Sequence, residues 1–247
     1  MVLDGLEAVV KKSVAKTDKV NFIRYADDFI ITGISKHVLE TKVQPAVVSF
    51  LAERGLSLSS EKTDITRIDV GFDFLGFNVR KYRGKLLIKP SKRSVKVFLA
   101  DIRALIKSNK TVKTESLIRL LNPKLRGWAN YYRHAVSKQI FCSVDRAIFQ
   151  AIYRWTRRRH PNKGAGWIVD KYFRHPAPVN WWFHAKTRTV DGTADRFRLF
   201  RVGNTKIVRH IKVIADATPY DPTYSLYFER RARPRGSSSQ RAVWQPI

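Results

Sequence analysis

Apolar positions change their period along this chain, and the changes divide it into elements. "LDGLEAVVKKSV" at 3–14 has the spacing of a short amphipathic helix. Residues 20–33 switch to strand-forming runs, "VNFIRY" and "FIITG", on either side of "ADD". That pattern predicts a hairpin with its two aspartates at or beside the turn. "KHVLETKVQPAVVSFLAERG" returns to helical period through Val38, Leu39, Val43, Val47, Val48 and Leu51 and stops at Arg54-Gly55, with Pro45 marking an early turn or a bend. Residues 56–68 and 70–90 read as strands, the second crossing a turn at Tyr82-Arg83-Gly84.

From Ser91 the helical period dominates. Val95, Phe98, Leu99, Ile102, Leu105 and Ile106 form one apolar stripe, with Lys92, Arg93, Lys96, Arg103 and Lys107 off it. Two further helices are predicted over 114–136, broken at Asn122-Pro123, and over 138–159. Beyond Lys171 the pattern dissolves into short apolar runs such as "WWF" at 181–183 and "KIVRHIKVI" at 206–214, and a polar, turn-rich end reads as a disordered basic tail.

Charge sharpens this division. The chain has 247 residues with 48 Lys and Arg against 20 Asp and Glu, a net charge of +28. Residues 1–90 hold 15 basic and 11 acidic side chains, so nearly all of the excess lies beyond them. A domain that basic needs a polyanion, and its interleaved aromatics offer faces for bases, which makes nucleic acid the leading partner. A membrane partner is not expected: no run reaches the roughly 18 apolar residues of a spanning helix, and the N-terminus has no signal-peptide pattern. Cys142 is the sole cysteine, which excludes a disulfide framework and a thiolate zinc site, and its flanks predict a small core residue on a helix.

Asp27 and Asp28 sit side by side within "FIRYADDFIITG". Adjacent carboxylates repel, and any burial raises the cost of each, so the pair calls for a cation. Hard divalent ions take oxygen ligands and act in pairs at phosphoryl-transfer sites, which makes Mg²⁺ the candidate. A pair of solvated turn aspartates is the plain alternative.

The motifs "YADD" at 25–28, "RGLSLSSEKTDITRI" at 54–68 and "FDFLGFNVR" at 72–80 resemble the palm motifs of group II intron-encoded reverse transcriptases. "IRLLNPKLRGWANYYRH" at 118–134 and "AIYRWTRRRHPNKGAGWI" after it resemble that family's thumb and maturase region. The resemblance implies an α+β chain: a partial palm over 1–90, a helical thumb and maturase-specific domain over 91–175, a basic, less regular region over 176–230 with a possible DNA-binding role, and a tail over 231–247. It assigns Asp27 and Asp28 as catalytic Mg²⁺ ligands and puts Tyr25 and Ala26 near the incoming nucleotide and primer end. Lys62 takes the place of a lysine near the triphosphate, or is a surface lysine after Glu61. Phe74, Leu75, Gly76 and Phe77 correspond to the hairpin supporting the primer, although a buried strand explains the apolar three equally well.

Arg126, Trp128, Tyr131 and Tyr132 on one helix suit RNA, with at least half of that aromatic surface expected inside the core. Arg154, Arg157, Arg158 and Arg159, four arginines in six residues, are the candidates for phosphate contact.

The family's upstream palm carboxylate, Gly-containing motif and fingers have no counterpart here, so the two-metal site is expected to be incomplete. The implied function is RNA-directed DNA polymerase and intron maturase, truncated at the N-terminus and inactive alone. Its partners would be group II intron RNA, a DNA target and a separate N-terminal reverse-transcriptase half, in a bacterial cytoplasm or an organelle. A non-catalytic RNA-binding splicing helper and a degenerate fragment are the other readings.

Overall fold

In the computed structural model, residues 2–59, 61–174, 181–188, 194–208, 213–214 and 217–232 are described. They form a mixed helix and strand structure that divides into two units, Met1–Ile207 and Val208–Ile247.

The first unit opens with α1 (Leu6–Lys12), then the antiparallel hairpin β1 (Asn21–Tyr25) and β2 (Asp28–Thr32). Alternation assigns the hairpin's faces. Phe22, Phe29 and Ile31 turn toward a cluster of Leu6, Val10, Val43, Val47, Phe50 and Leu51, whereas Ile23 and Tyr25 on the other face are 54% and 65% exposed. The helix predicted next is interrupted. It runs as α2 (Lys36–Val38), a π turn over Leu39–Val43, and α3 (Gln44–Ala52). Pro45 stands just after the wide turn, which relieves the clash between its ring and the preceding carbonyls.

The expected strand over 56–68 does not form: its described residues are irregular and carry no ladder. Residues 72–90 instead supply three strands, β3 (Phe72–Phe74), β4 (Phe77–Tyr82) and β5 (Lys85–Pro90), in the order β3-β4-β5. Both connections are two-residue turns with left-handed backbone at each position, Leu75-Gly76 and Arg83-Gly84. Such turns match the twist of antiparallel strands. The first was not among the turns read from periodicity.

α4 (Lys92–Ser108), α5 (Thr114–Tyr132), α6 (Lys138–Arg159) and α7 (Ala165–Tyr172) enclose the main core, built on Ile102, Leu117, Leu121, Leu125, Phe141, Val144 and Ile152. α5 is continuous where a break at Asn122-Pro123 was expected. Pro123 removes the bond to the Arg119 carbonyl on the exposed side of the helix, where water can replace it. Asn122 is buried, and its carboxamide donates to Arg198 O at 3.0 Å and accepts from Phe200 N at 2.7 Å. Those bonds fasten the hairpin β6 (His184–Arg188) and β7 (Ala194–Arg198) to α5. Phe183, Ala185, Leu199 and Val202 therefore belong to the helical core, and the first unit continues past residue 175 to Ile207.

In the second unit, α8 (Ser225–Ala232) follows a turn capped by Asp221, and Tyr227 Oη accepts from Ile214 N. The tail expected over 231–247 begins inside α8; its residues 233–247, and parts of the 206–214 run, lie outside the described residues. No helix among the described residues is long and apolar enough to cross a membrane.

Candidate active site and nucleic-acid interface

The acid pair stands at the tip of the first hairpin. Tyr25 faces Asp28 across the ladder, leaving Ala26 and Asp27 as the turn. Ala26 has φ of 53°, a left-handed conformation costing a residue with a Cβ about 1–2 kcal/mol. Asp27 and Asp28 are both exposed, not set into a buried strand, because the hairpin's second face is uncovered. Neither carboxylate has a hydrogen-bond or ion-pair partner among the described residues. Arg24, the nearest cation in sequence, is bound to Asp4 at 3.0 Å. No group of three or more His, Cys, Asp or Glu that could hold a metal occurs among the described residues.

The Leu75-Gly76 turn is held by α5. Tyr131 Oη donates to Leu75 O at 2.7 Å and Tyr132 Oη to Gly76 O at 3.1 Å, while Ser91 N donates to Gly76 O at 2.8 Å. Phe77 stacks on Tyr131 with ring centroids 5.2 Å apart and meets Tyr132 edge-on at 4.9 Å. A Cβ on Gly76 would lie 2.6 Å from Tyr132 Oη, so only glycine allows this approach. Phe74, Leu75 and Phe77 are half-buried. Burial pushes the Tyr131 hydroxyl above its ordinary pKa, and the phenols of Tyr132 and Tyr25 raise it further. The Leu75-Gly76 turn and the end of α5 are thus joined directly, and Tyr25 of the acid-bearing hairpin adds to the Tyr131 shift. Lys62 is exposed in the irregular stretch after α3.

The remaining sites separate into surface and support. Tyr132 is buried, and Trp128 is half-buried, its ring stacked on Phe98 at 4.6 Å. Tyr131 is half-exposed, and Arg126 is exposed with its guanidinium over Phe200. Arg154, Arg157 and Arg158 are exposed on the last turns of α6. Arg159 is half-buried instead: it donates to Val112 O at 2.6 Å and lies over Trp155, tying α6 to the loop before α5. Cys142 is exposed, not a core residue, because Phe141 and Val144 take the inward positions beside it.

Two supporting residues gave no signal in the sequence. Asn122 lies beside a proline that reads as a helix stop. Asp145, an ordinary acid on a helix, accepts from Val202 N and Gly203 N, each at 2.8 Å.

A family model for reverse transcriptase (RNA-dependent DNA polymerase) matches residues 1–79, and one for the group II intron maturase-specific domain matches residues 95–173. Ribosomal operon-associated A protein of Euglena longa is 28% identical over 105 residues. That match covers 42% of this chain and 20% of the relative, so the chain spans about a fifth of the length of that curated protein. Matched in this order along one polypeptide, the two models support a portion of a group II intron reverse transcriptase/maturase.

Proposed function

We propose that this chain supplies the catalytic hairpin, primer support and RNA-binding thumb of an RNA-directed DNA polymerase acting on group II intron RNA. The observation that carries the reading is the order of the two family matches, the reverse transcriptase match over 1–79 holding both the Tyr25–Asp28 tip and the Leu75-Gly76 turn, and the maturase-specific match over 95–173 holding the tyrosines that fasten that turn.

Asp27 and Asp28 fit Mg²⁺ in kind, as two oxygen donors whose charge no cation among the described residues meets. When bound there, the ion would activate an attacking hydroxyl and stabilise a leaving pyrophosphate. The chain's own contribution is position. The two tyrosines fix the Leu75-Gly76 carbonyls, so a primer end resting on that turn meets a rigid support beside the acid pair. Lys62 would approach the triphosphate. Arg126, Arg154, Arg157 and Arg158 would hold RNA phosphates, Trp128, Tyr132 and Arg159 would act by shaping that surface, and Tyr131 would do both. Intron RNA is the proposed partner, with a DNA target and an N-terminal half in trans as further ones, in a bacterial cytoplasm or an organelle.

Mg²⁺-dependent primer extension on an RNA template, with the chain reconstituted with an N-terminal reverse-transcriptase half, tests the reading, beside Asp27→Ala/Asp28→Ala. Extension lost in the double variant while RNA binding and melting temperature stay unchanged is the expected result. Both aspartates are exposed, and such substitutions shift stability by no more than about 0.5 kcal/mol.

A second reading rests on one observation: among the described residues no third ligand joins the acid pair. RNA bound tightly by the chain, with no extension and splicing assistance insensitive to the double variant, would make it a non-catalytic splicing helper.

A further inference from the structure

A cleft of about 540 Å³ opens between α6 and the chain around Trp181–Phe183 and Leu199–Asn204, and neither the acid pair nor Arg154, Arg157 and Arg158 line it. Small-molecule sites typically occupy about 300–1,000 Å³. Phe149, Phe173, Trp181, Trp182 and Phe183 line it with aromatic surface, and Arg146 and Arg201 stand among the lining residues. Trp181 is 53% exposed and nearly perpendicular to Phe149, with centroids 5.9 Å apart, so much of its indole remains uncovered. Trp182 is fixed: its Nε1 donates to Leu199 O at 2.6 Å, and Arg198 and Arg201 lie over its ring.

The acid in the wall, Asp145, is outnumbered by Arg146 and Arg201 among the lining residues. Asp145 spends its carboxylate on Val202 N and Gly203 N, which orders the loop forming one side of the cleft. Aromatic faces flanked by arginines, in a region carrying most of a +28 charge, match an unpaired base with phosphates on either side. A base in a duplex cannot enter, because its faces are already stacked.

We infer that this cleft receives an unstacked base of single-stranded RNA, with Trp181 as the stacking platform and Arg146 and Arg201 on the adjoining phosphates. This rests on the proposed RNA-binding function and adds to it a site that distinguishes single-stranded from paired RNA.

Cys142 lines the cleft, is exposed, and is the chain's sole cysteine, so its thiol reports occupancy without further engineering. The experiment measures its reaction rate with a disulfide reagent in the full chain, alone and with saturating oligouridylate or an RNA duplex of equal charge. Oligouridylate should slow the reaction several-fold and the duplex should not. Trp181→Ala should weaken oligouridylate binding roughly 5- to 150-fold, the span expected for loss of one base stack, and leave duplex affinity unchanged. Arg146→Gln should weaken oligouridylate binding less and flatten its salt dependence.

Bound oligouridylate that leaves the thiol rate unchanged would overturn the cleft while RNA binding elsewhere stands. Equal protection by the duplex would overturn base insertion. A thiol already inert in the free chain, or protected as protein concentration rises, would mean that the chain or a second copy fills the cleft. Failure to bind either RNA would remove the proposed function and this inference together.

Discussion

The cluster beneath the acid-bearing hairpin contains six buried apolar side chains, against twenty in the helical core around α5, counted among the described residues. The small cluster supports a two-stranded sheet with one uncovered face and two exposed carboxylates at its tip. The large one encloses four helices and fixes even its polar members, Asn122, Tyr132 and Asp145, by hydrogen bonds. The acid pair therefore contributes little to stability, whereas the Leu75-Gly76 turn takes its rigidity from α5, whose tyrosines hold it.

Core truncations should separate the two regions most widely. Leu121→Ala, in the helical core, should cost about 2–5 kcal/mol and lower the melting temperature of the whole first unit. Leu6→Ala should fall at the low end of that range, because the half-buried residues around the smaller cluster can close on the gap. Chemical denaturation of both variants checks this, and equal losses would break the comparison.

Asp145→Ala probes the polar fastening of the larger core. It orphans the Val202 and Gly203 amides, both in buried residues, at a cost of about 2–4 kcal/mol. Hydrogen exchange at those two amides should accelerate well before the amides of α5 respond.

The two-residue turns provide an internal control. Gly76 and Gly84 have φ of 78° and 80°, but a Cβ meets Tyr132 Oη at 2.6 Å on Gly76 and nothing within 4 Å on Gly84. Gly84→Ala should cost about 1 kcal/mol from backbone conformation alone. Gly76→Ala should cost about 2–4 kcal/mol, since overpacking adds to the same backbone cost. Comparable melting temperatures would show that Tyr132 yields without loss.

Legibility followed the source of each feature. The α4 stripe, the limits of α6 and the hairpin around Ala26-Asp27 follow from local periodicity and were readable. The continuity of α5 was not, because Asn122 and Pro123 carry a local signal for a break that tertiary bonds to Arg198 and Phe200 override. The irregular 56–68 stretch shows the reverse: alternating apolar residues with no strand to pair with form no ladder. Arg159 and Tyr132 were grouped with RNA-facing residues by composition, but burial separates them from Arg158 and Arg126. The acid pair was visible as a motif, whereas the fastening of the Leu75-Gly76 turn depends on hydrogen bonds from Tyr131 and Tyr132, 56 positions away.

The smallest expected effect lies at the corner between α6 and α7. His160 Nε2 is 2.8 Å from Tyr172 Oη, and its ring meets Trp167 edge-on at 4.8 Å. Burial lowers its pKa below the ordinary 6.5, and Lys171, Arg159 and Lys163 push it the same way. Folding thus favours the neutral ring, so the unfolded chain takes up the proton first as pH falls. Stability should be full above about pH 6.5 and decline as pH drops from there toward the folded value. Melting temperatures measured between about pH 7.5 and 5 should fall faster for the native chain than for His160→Gln, which has no ring to protonate. Parallel curves would mean that the corner tolerates an imidazolium among its three cations, and that the arginine-rich end of α6 is more open to solvent than the core it adjoins.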